Sequence, residues 1–208
     1  MKTIIALTFA ILLLSLAHQA SAGIFDHSRR GFCLGAGVGL APLAGYTTDY
    51  YCFYTEEQGT FTVTKPAFSV DFFFGYGLNR RDILTVRFQI SDPAEDDPPC
   101  TRPADAWYIV DYKEPLPRIY QIYSGPVWYH FFRDDDNAVF SEIGLGAASH
   151  DEPGKADPGW GFLFGGGFET GPGWLISLEF SRGISHGKDT GQKFTLNSLN
   201  LMFTRYWY

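Results

Sequence analysis

Ala67-Phe68-Ser69-Val70-Asp71-Phe72-Phe73-Phe74-Gly75-Tyr76-Gly77-Leu78 is the stretch that decides the fold. Alternate positions carry Phe68, Val70, Phe72, Phe74, Tyr76 and Leu78; those between carry Ala67, Ser69, Asp71, Phe73, Gly75 and Gly77. A period of two belongs to a β-strand with two unlike faces. The weaker face is too small and too polar to be the core of a soluble protein. A bulky apolar exterior around a polar interior is the pattern of a membrane barrel. The alternative on the same pattern is a secreted sandwich or a lipocalin-like barrel.

The period recurs along the chain. Upstream, Phe32, Leu34, Ala36, Val38 and Leu40 oppose Gly31, Cys33, Gly35, Gly37 and Gly39. Downstream, Leu84, Val86, Phe88 and Ile90 oppose Thr85, Arg87, Gln89 and Ser91. Ile143 and Leu145 oppose Glu142 and Gly144, and Trp160, Phe162, Phe164 and Phe168 oppose Leu163, Gly165 and Glu169. Trp174, Ile176 and Leu178 oppose Ser177 and Glu179. The last run sets Leu199, Leu201, Phe203 and Trp207 against Ser198, Asn200, Thr204 and Tyr206. Residues 119–132 alternate poorly, with a change of phase at Gly125-Pro126. Pro has no N–H for a ladder, so a bulge is expected there. It would turn Gln121 and Tyr123 inward before it, and Trp128 and His130 inward after it.

The connections alternate in length. Residues 41–65, 92–117, 150–158 and 185–193 are the longer ones; 79–81, 133–136 and 171–173 are the shorter. Short periplasmic turns and longer external loops give that order. The expected fold is therefore all-β, an eight-stranded antiparallel up-and-down transmembrane β-barrel.

The chain start fixes the expected compartment. Lys2, an apolar run from Ile4 to Leu16 and Ala20-Ser21-Ala22 form a signal peptide over residues 1–22, leaving 23–208 as the barrel domain. The apolar run is shorter than the ~20 residues of a spanning helix. The formal charge of the whole chain is −7, which argues against nucleic acid as a partner.

The Gly-rich run Phe72-Phe73-Phe74-Gly75-Tyr76-Gly77-Leu78 and the ending Leu199-Asn200-Leu201-Met202-Phe203-Thr204-Arg205-Tyr206-Trp207-Tyr208 resemble the small outer-membrane barrels of the OmpA-transmembrane, OmpX and OmpW kinds. The resemblance covers most of the mature chain. It implies the outer membrane of a Gram-negative bacterium, contact with outer-membrane lipid and lipopolysaccharide, and a last strand read by the barrel-insertion machinery. The departures are a terminal Tyr in place of Phe, and Arg205 within the apolar face. The likeness is specific for fold and says little about function, since one scaffold hosts unrelated activities.

Five inward positions carry charge: Asp71, Arg87, Glu142, Glu169 and Glu179. Eight strands enclose a space that side chains roughly fill, and buried charges need partners. The expected arrangement is an ionic network plugging the lumen, with a proton or ion path as the alternative. A reversal centred near Arg80 sets Asp71 opposite a residue near Gln89 and Arg87 opposite one near Phe73, diagonal neighbours within reach of an Arg side chain. Of Cys33, Cys52 and Cys100, the last two fall in external loops and Cys33 near the opposite rim, so a Cys52–Cys100 disulfide is expected; three free thiols are the alternative. Trp128, Tyr129, Trp160, Trp174, Tyr206 and Trp207 are the candidates for interfacial girdles.

No spacing of His27, His130, His150 and His186 points to a metal site, and no cofactor motif is present. Arg182-Gly183-Ile184-Ser185-His186-Gly187 loosely resembles the last hairpin of lipid A deacylases, with Ser185 and His186 as the weak catalytic pair. Adjacent strand residues point apart, and a Ser–His relay needs both groups within hydrogen-bond reach. The function expected is thus a non-enzymatic barrel with a structural or surface-interaction role through its external loops. Its alternatives are a lipid A-modifying hydrolase and a narrow channel for small solutes.

Overall fold

The structure, a computed structural model, describes residues 29–52, 57–93, 120–135, 137–150, 156–171, 173–187 and 193–208. Eight strands follow in chain order: β1 Gly31–Cys52, β2 Glu57–Gly77, β3 Asp82–Pro93, β4 Gln121–Phe131, β5 Val139–His150, β6 Ala156–Gly171, β7 Trp174–Gly187 and β8 Lys193–Trp207. Each pairs antiparallel with the next, and β1 pairs with β8 to close the barrel. Closure pairs the edges that an open sheet would leave bare, which is what lets strands cross lipid.

Side chains sort as the alternation requires. Phe72, Phe74, Leu84, Ile143 and Phe164 are exposed on the outer wall, whereas Asp71, Arg87, Glu142 and Glu179 are buried inside. A ring of exposed aromatic and aliphatic side chains around a charged interior is stable only with lipid outside. The glycines of the inner face of β1 make room for what crosses the lumen. A Cβ at Gly35 would stand 2.0 Å from the Phe73 ring, and one at Gly37 would stand 2.2 Å from Asp71 Oδ1.

Three expectations need correction. Residues 41–65 are not a loop: β1 and β2 run on as a hairpin as far as Cys52↔Glu57. The register shifts at Ala41/Ala44, beside Pro42, and the inward set changes from odd positions such as Cys33 to Ala44, Tyr46 and Thr48. That bulge resets the phase and hides the strand from an alternation reading. At 22 and 21 residues, β1 and β2 are about twice the ~9–11 residues that cross a bilayer, so the hairpin projects beyond the wall. Cys52 accordingly ends a strand.

The bulge expected in β4 is absent. β3 pairs through Arg87↔Gly125 and Val86↔Pro126 without a shift. Pairing with β5 resumes at Val127↔Gly144 in the register of Ser124↔Ala147. Tyr123, Val127, Tyr129 and Phe131 point inward, while Trp128 is exposed and His130 half-buried on the outer side. Aromatic residues on both faces concealed a continuous phase. The girdle set shrinks for the same reason: Tyr129 and Tyr206 are lumenal and Trp207 is buried, leaving Trp128 and Trp160 exposed on the wall and Trp174 half-buried there.

Candidate functional site

Among the described residues the lumen gathers buried polar and charged side chains, and it is layered. At the end with the short turns, Arg29 leads into β1 and points into the mouth. Its guanidinium donates to the carbonyls of Arg80 (3.1 Å), Arg133 (3.0 Å) and Asp135 (2.6 Å), which belong to two turns. It also pairs with Glu169 and lies 4.1 Å over the Phe131 ring. Glu169 accepts from Gly173 N–H (2.9 Å) and from the Tyr208 hydroxyl (2.5 Å). Beyond this plug comes an apolar layer with Phe73, Ile83, Phe131, Phe140, Leu175 and Tyr206 at its heart.

Arg87 holds the middle of the barrel. Its Nη2 lies 2.6 Å from Asp71 Oδ2 and 2.8 Å from Glu179 Oε2, and its Nη1 lies 2.9 Å from Glu142 Oε2. Gln89 Nε2 (2.9 Å) and Ser177 Oγ (2.5 Å) donate to Glu179. The side chains of all four charged residues are 0–1% exposed. Asp71 Oδ1 and Glu142 Oε1 have no hydrogen-bond partner, and Asp71 Oδ2 meets Arg87 alone. One turn further along, Asn200 Oδ1 gathers the hydroxyls of Ser69 (2.8 Å), Ser198 (2.8 Å) and Ser91 (3.4 Å). From that layer outward an open recess is lined by Gln89, Ser91, Gln121, Tyr123, Ala148 and Leu196, among others.

The structure therefore brings Asp71, Glu142 and Glu179 onto Arg87 and keeps Glu169 apart. Glu169 faces inward as read from the sequence, but it belongs to the mouth and to Arg29. Cys33 is a buried free thiol. The expected Cys52–Cys100 bond and the signal peptide lie outside the described residues: no side chain is described for Cys52, and Cys100 and residues 1–22 are undescribed altogether.

Ser185 and His186 point to opposite faces: Ser185 is buried in the lumen and His186 is exposed. Ser185 instead meets His150, a pairing the sequence reading missed. His150 Nδ1 is 2.9 Å from Ser185 Oγ, which donates to the Asp157 carbonyl at 3.0 Å. The Phe194 ring lies 3.8 Å from the imidazole, tilted by 30°. With no exposed surface, Ser185 links β5, β6 and β7 through its contacts with His150 and Asp157. Among the described residues no three His, Cys, Asp or Glu side chains converge as metal ligands.

No family model and no curated protein matches the sequence. Solved structures show a distant likeness. Neisserial surface protein A is 15% identical over 84% of this chain and 96% of its own, with a TM-score of 0.44. OprG from Pseudomonas aeruginosa is 10% identical over 86% and 96%, with a TM-score of 0.47. Ail of Yersinia pestis is 12% identical over 84% and 99%, with a TM-score of 0.37. Identities this low carry no function across. Closure of eight antiparallel strands, a lipid-facing apolar wall and a charged interior make this chain a small transmembrane β-barrel of the outer-membrane type.

Proposed function

We propose that the protein is a sealed outer-membrane scaffold that carries surface interactions on its external connections and performs no catalysis. The observation that supports this reading is the filled lumen. The Arg29–Glu169 plug, the aromatic layer and the Arg87 cluster follow one another across the barrel, and the recess beyond them ends at Gln89. Function on a rigid barrel then falls to its connections, of which the one between β3 and β4, residues 94–120, has the most residues. On this reading the chain is exported by the signal peptide at 1–22, meets lipopolysaccharide along its outer wall, and offers β8 to the insertion machinery. A Cys52–Cys100 disulfide would tie the tip of the β1–β2 hairpin to the β3–β4 connection.

Planar-bilayer recording of the reconstituted protein tests the seal. No stable conductance is expected, and a steady ohmic pore would overturn the reading. Lipid A from cells with and without the protein should have one mass profile; a lost acyl chain would make it a hydrolase instead. Non-reducing peptide mapping should recover Cys52 linked to Cys100, and two freely labelled thiols would remove that tether.

A further inference from the structure

The charges in the middle of the barrel do not balance. Asp71, Glu142 and Glu179 face one cation, Arg87, and among the described residues no second cation reaches them. The groups of the surrounding strands are neutral ones: Tyr123 and Tyr129 from β4, Gln89 from β3, Ser177 from β7, and Cys33 and Tyr206 in the adjoining layer. Two of the acids contact the same nitrogen, Nη2, so their oxygens are crowded together. Two buried oxygens, Asp71 Oδ1 and Glu142 Oε1, have no hydrogen-bond partner, and Asp71 Oδ2 has the Arg87 contact alone. Isolated ionised carboxylates are very costly in a dry interior, and carboxylates sharing one site hold a proton between them.

We propose that the Arg87 cluster is a proton-binding site: at neutral pH the folded barrel holds at least one proton among Asp71, Glu142 and Glu179. The bound proton turns one orphan acceptor into a donor, and the new O–H has carboxylate oxygens beside it to receive it. Arg29–Glu169 is the internal control, because one cation there meets one acid and the remaining donors and acceptors come from turns and Tyr208. The fully ionised cluster leaves an excess of two negative charges in the lumen, so raising the pH loads repulsion into the barrel's middle layer.

Infrared spectroscopy of the folded protein in lipid at neutral pH reads this directly. A protonated carboxylic acid shows a carbonyl stretch that ionised carboxylates lack and that moves to lower frequency in D2O. The wild type should show that band. Asp71→Asn or Glu142→Gln, which keep the shape of the neutral acid, should remove or halve it, whereas Glu169→Gln should leave it intact. A wild-type spectrum with no acid carbonyl would overturn the proposal, since the excess charge would then be met by a cation. A band unchanged in Asp71→Asn, Glu142→Gln and Glu179→Gln alike would overturn it too.

Discussion

Two ionic clusters occupy one lumen and solve burial differently. At the mouth, Arg29 finds three backbone carbonyls besides its acid, and Glu169 finds a backbone N–H and a phenol. In the middle, Arg87 and its acids find side chains alone. The difference lies in what the backbone has left to give. Within the wall the ladder takes up most N–H and C=O groups, and the charges of the Arg87 cluster are met by other inward side chains. Turns free their carbonyls, and the mouth uses them. The middle cluster is consequently the more interdependent of the two, and the more exposed to damage by one substitution.

The comparison is broken most decisively at Arg87. Arg87→Met strands three buried acids, and loss of one partner from a buried ionic group costs about 3–5 kcal/mol. Urea unfolding in lipid vesicles should show that loss at neutral pH and a smaller one at acid pH, where protonation relieves the acids. Equal losses at both would mean the acids do not depend on Arg87 for their charge. Next comes a charge placed one residue from Asp71 but facing out. Phe72→Arg should destabilise by roughly 2–4 kcal/mol if the position lies near the bilayer midplane, although the same side chain is tolerated inside at Arg87. Normal membrane yield and stability for that variant would sink the lipid-facing wall. Smaller again is Arg29→Met, about 1–2 kcal/mol, because Glu169 keeps Tyr208 and Gly173 as donors. A loss as large as that of Arg87→Met would erase the distinction between the clusters.

What the sequence made legible follows the same line. Asp71 and Arg87 could be paired from sequence because the tight turn between β2 and β3 fixes their register, and Asp71↔Gln89 and Phe73↔Arg87 are the partners found. Alternation gave Glu169 the right face but no height in the barrel, so it was grouped with acids it never meets. Arg29 precedes β1 and binds carbonyls, which no residue pattern encodes. The His150–Ser185 contact spans 35 residues and depends on the stagger of β5, β6 and β7. The β1–β2 hairpin was misread as a loop because a bulge switches the inward parity, and β4 because bulky rings lie on both faces. Side-chain period reports orientation; depth, stagger and backbone partners need closure.

The smallest effect is expected outside the lumen, where the turn-end ion pair gives the comparison its outer limit. Arg81 Nε lies 2.5 Å from Asp134 Oδ1, linking the β2–β3 and β4–β5 turns, yet both side chains are about half exposed. The Arg81 guanidinium hydrogen-bonded to Asp134 holds that carboxyl below its usual range. A lowered folded value gives stability that is present above the unfolded carboxylate range, near 3.9, and is lost as the pH falls through the folded one. Water screens such exposed pairs, and many contribute nothing measurable. Arg81→Ala should therefore leave the urea midpoint unchanged at neutral pH, and the acid limb of the pH–stability curve nearly so. If Arg81→Ala cost as much as Arg29→Met, the turns would be held by their surface charges, and burial at the mouth would not be what sets Arg29 apart.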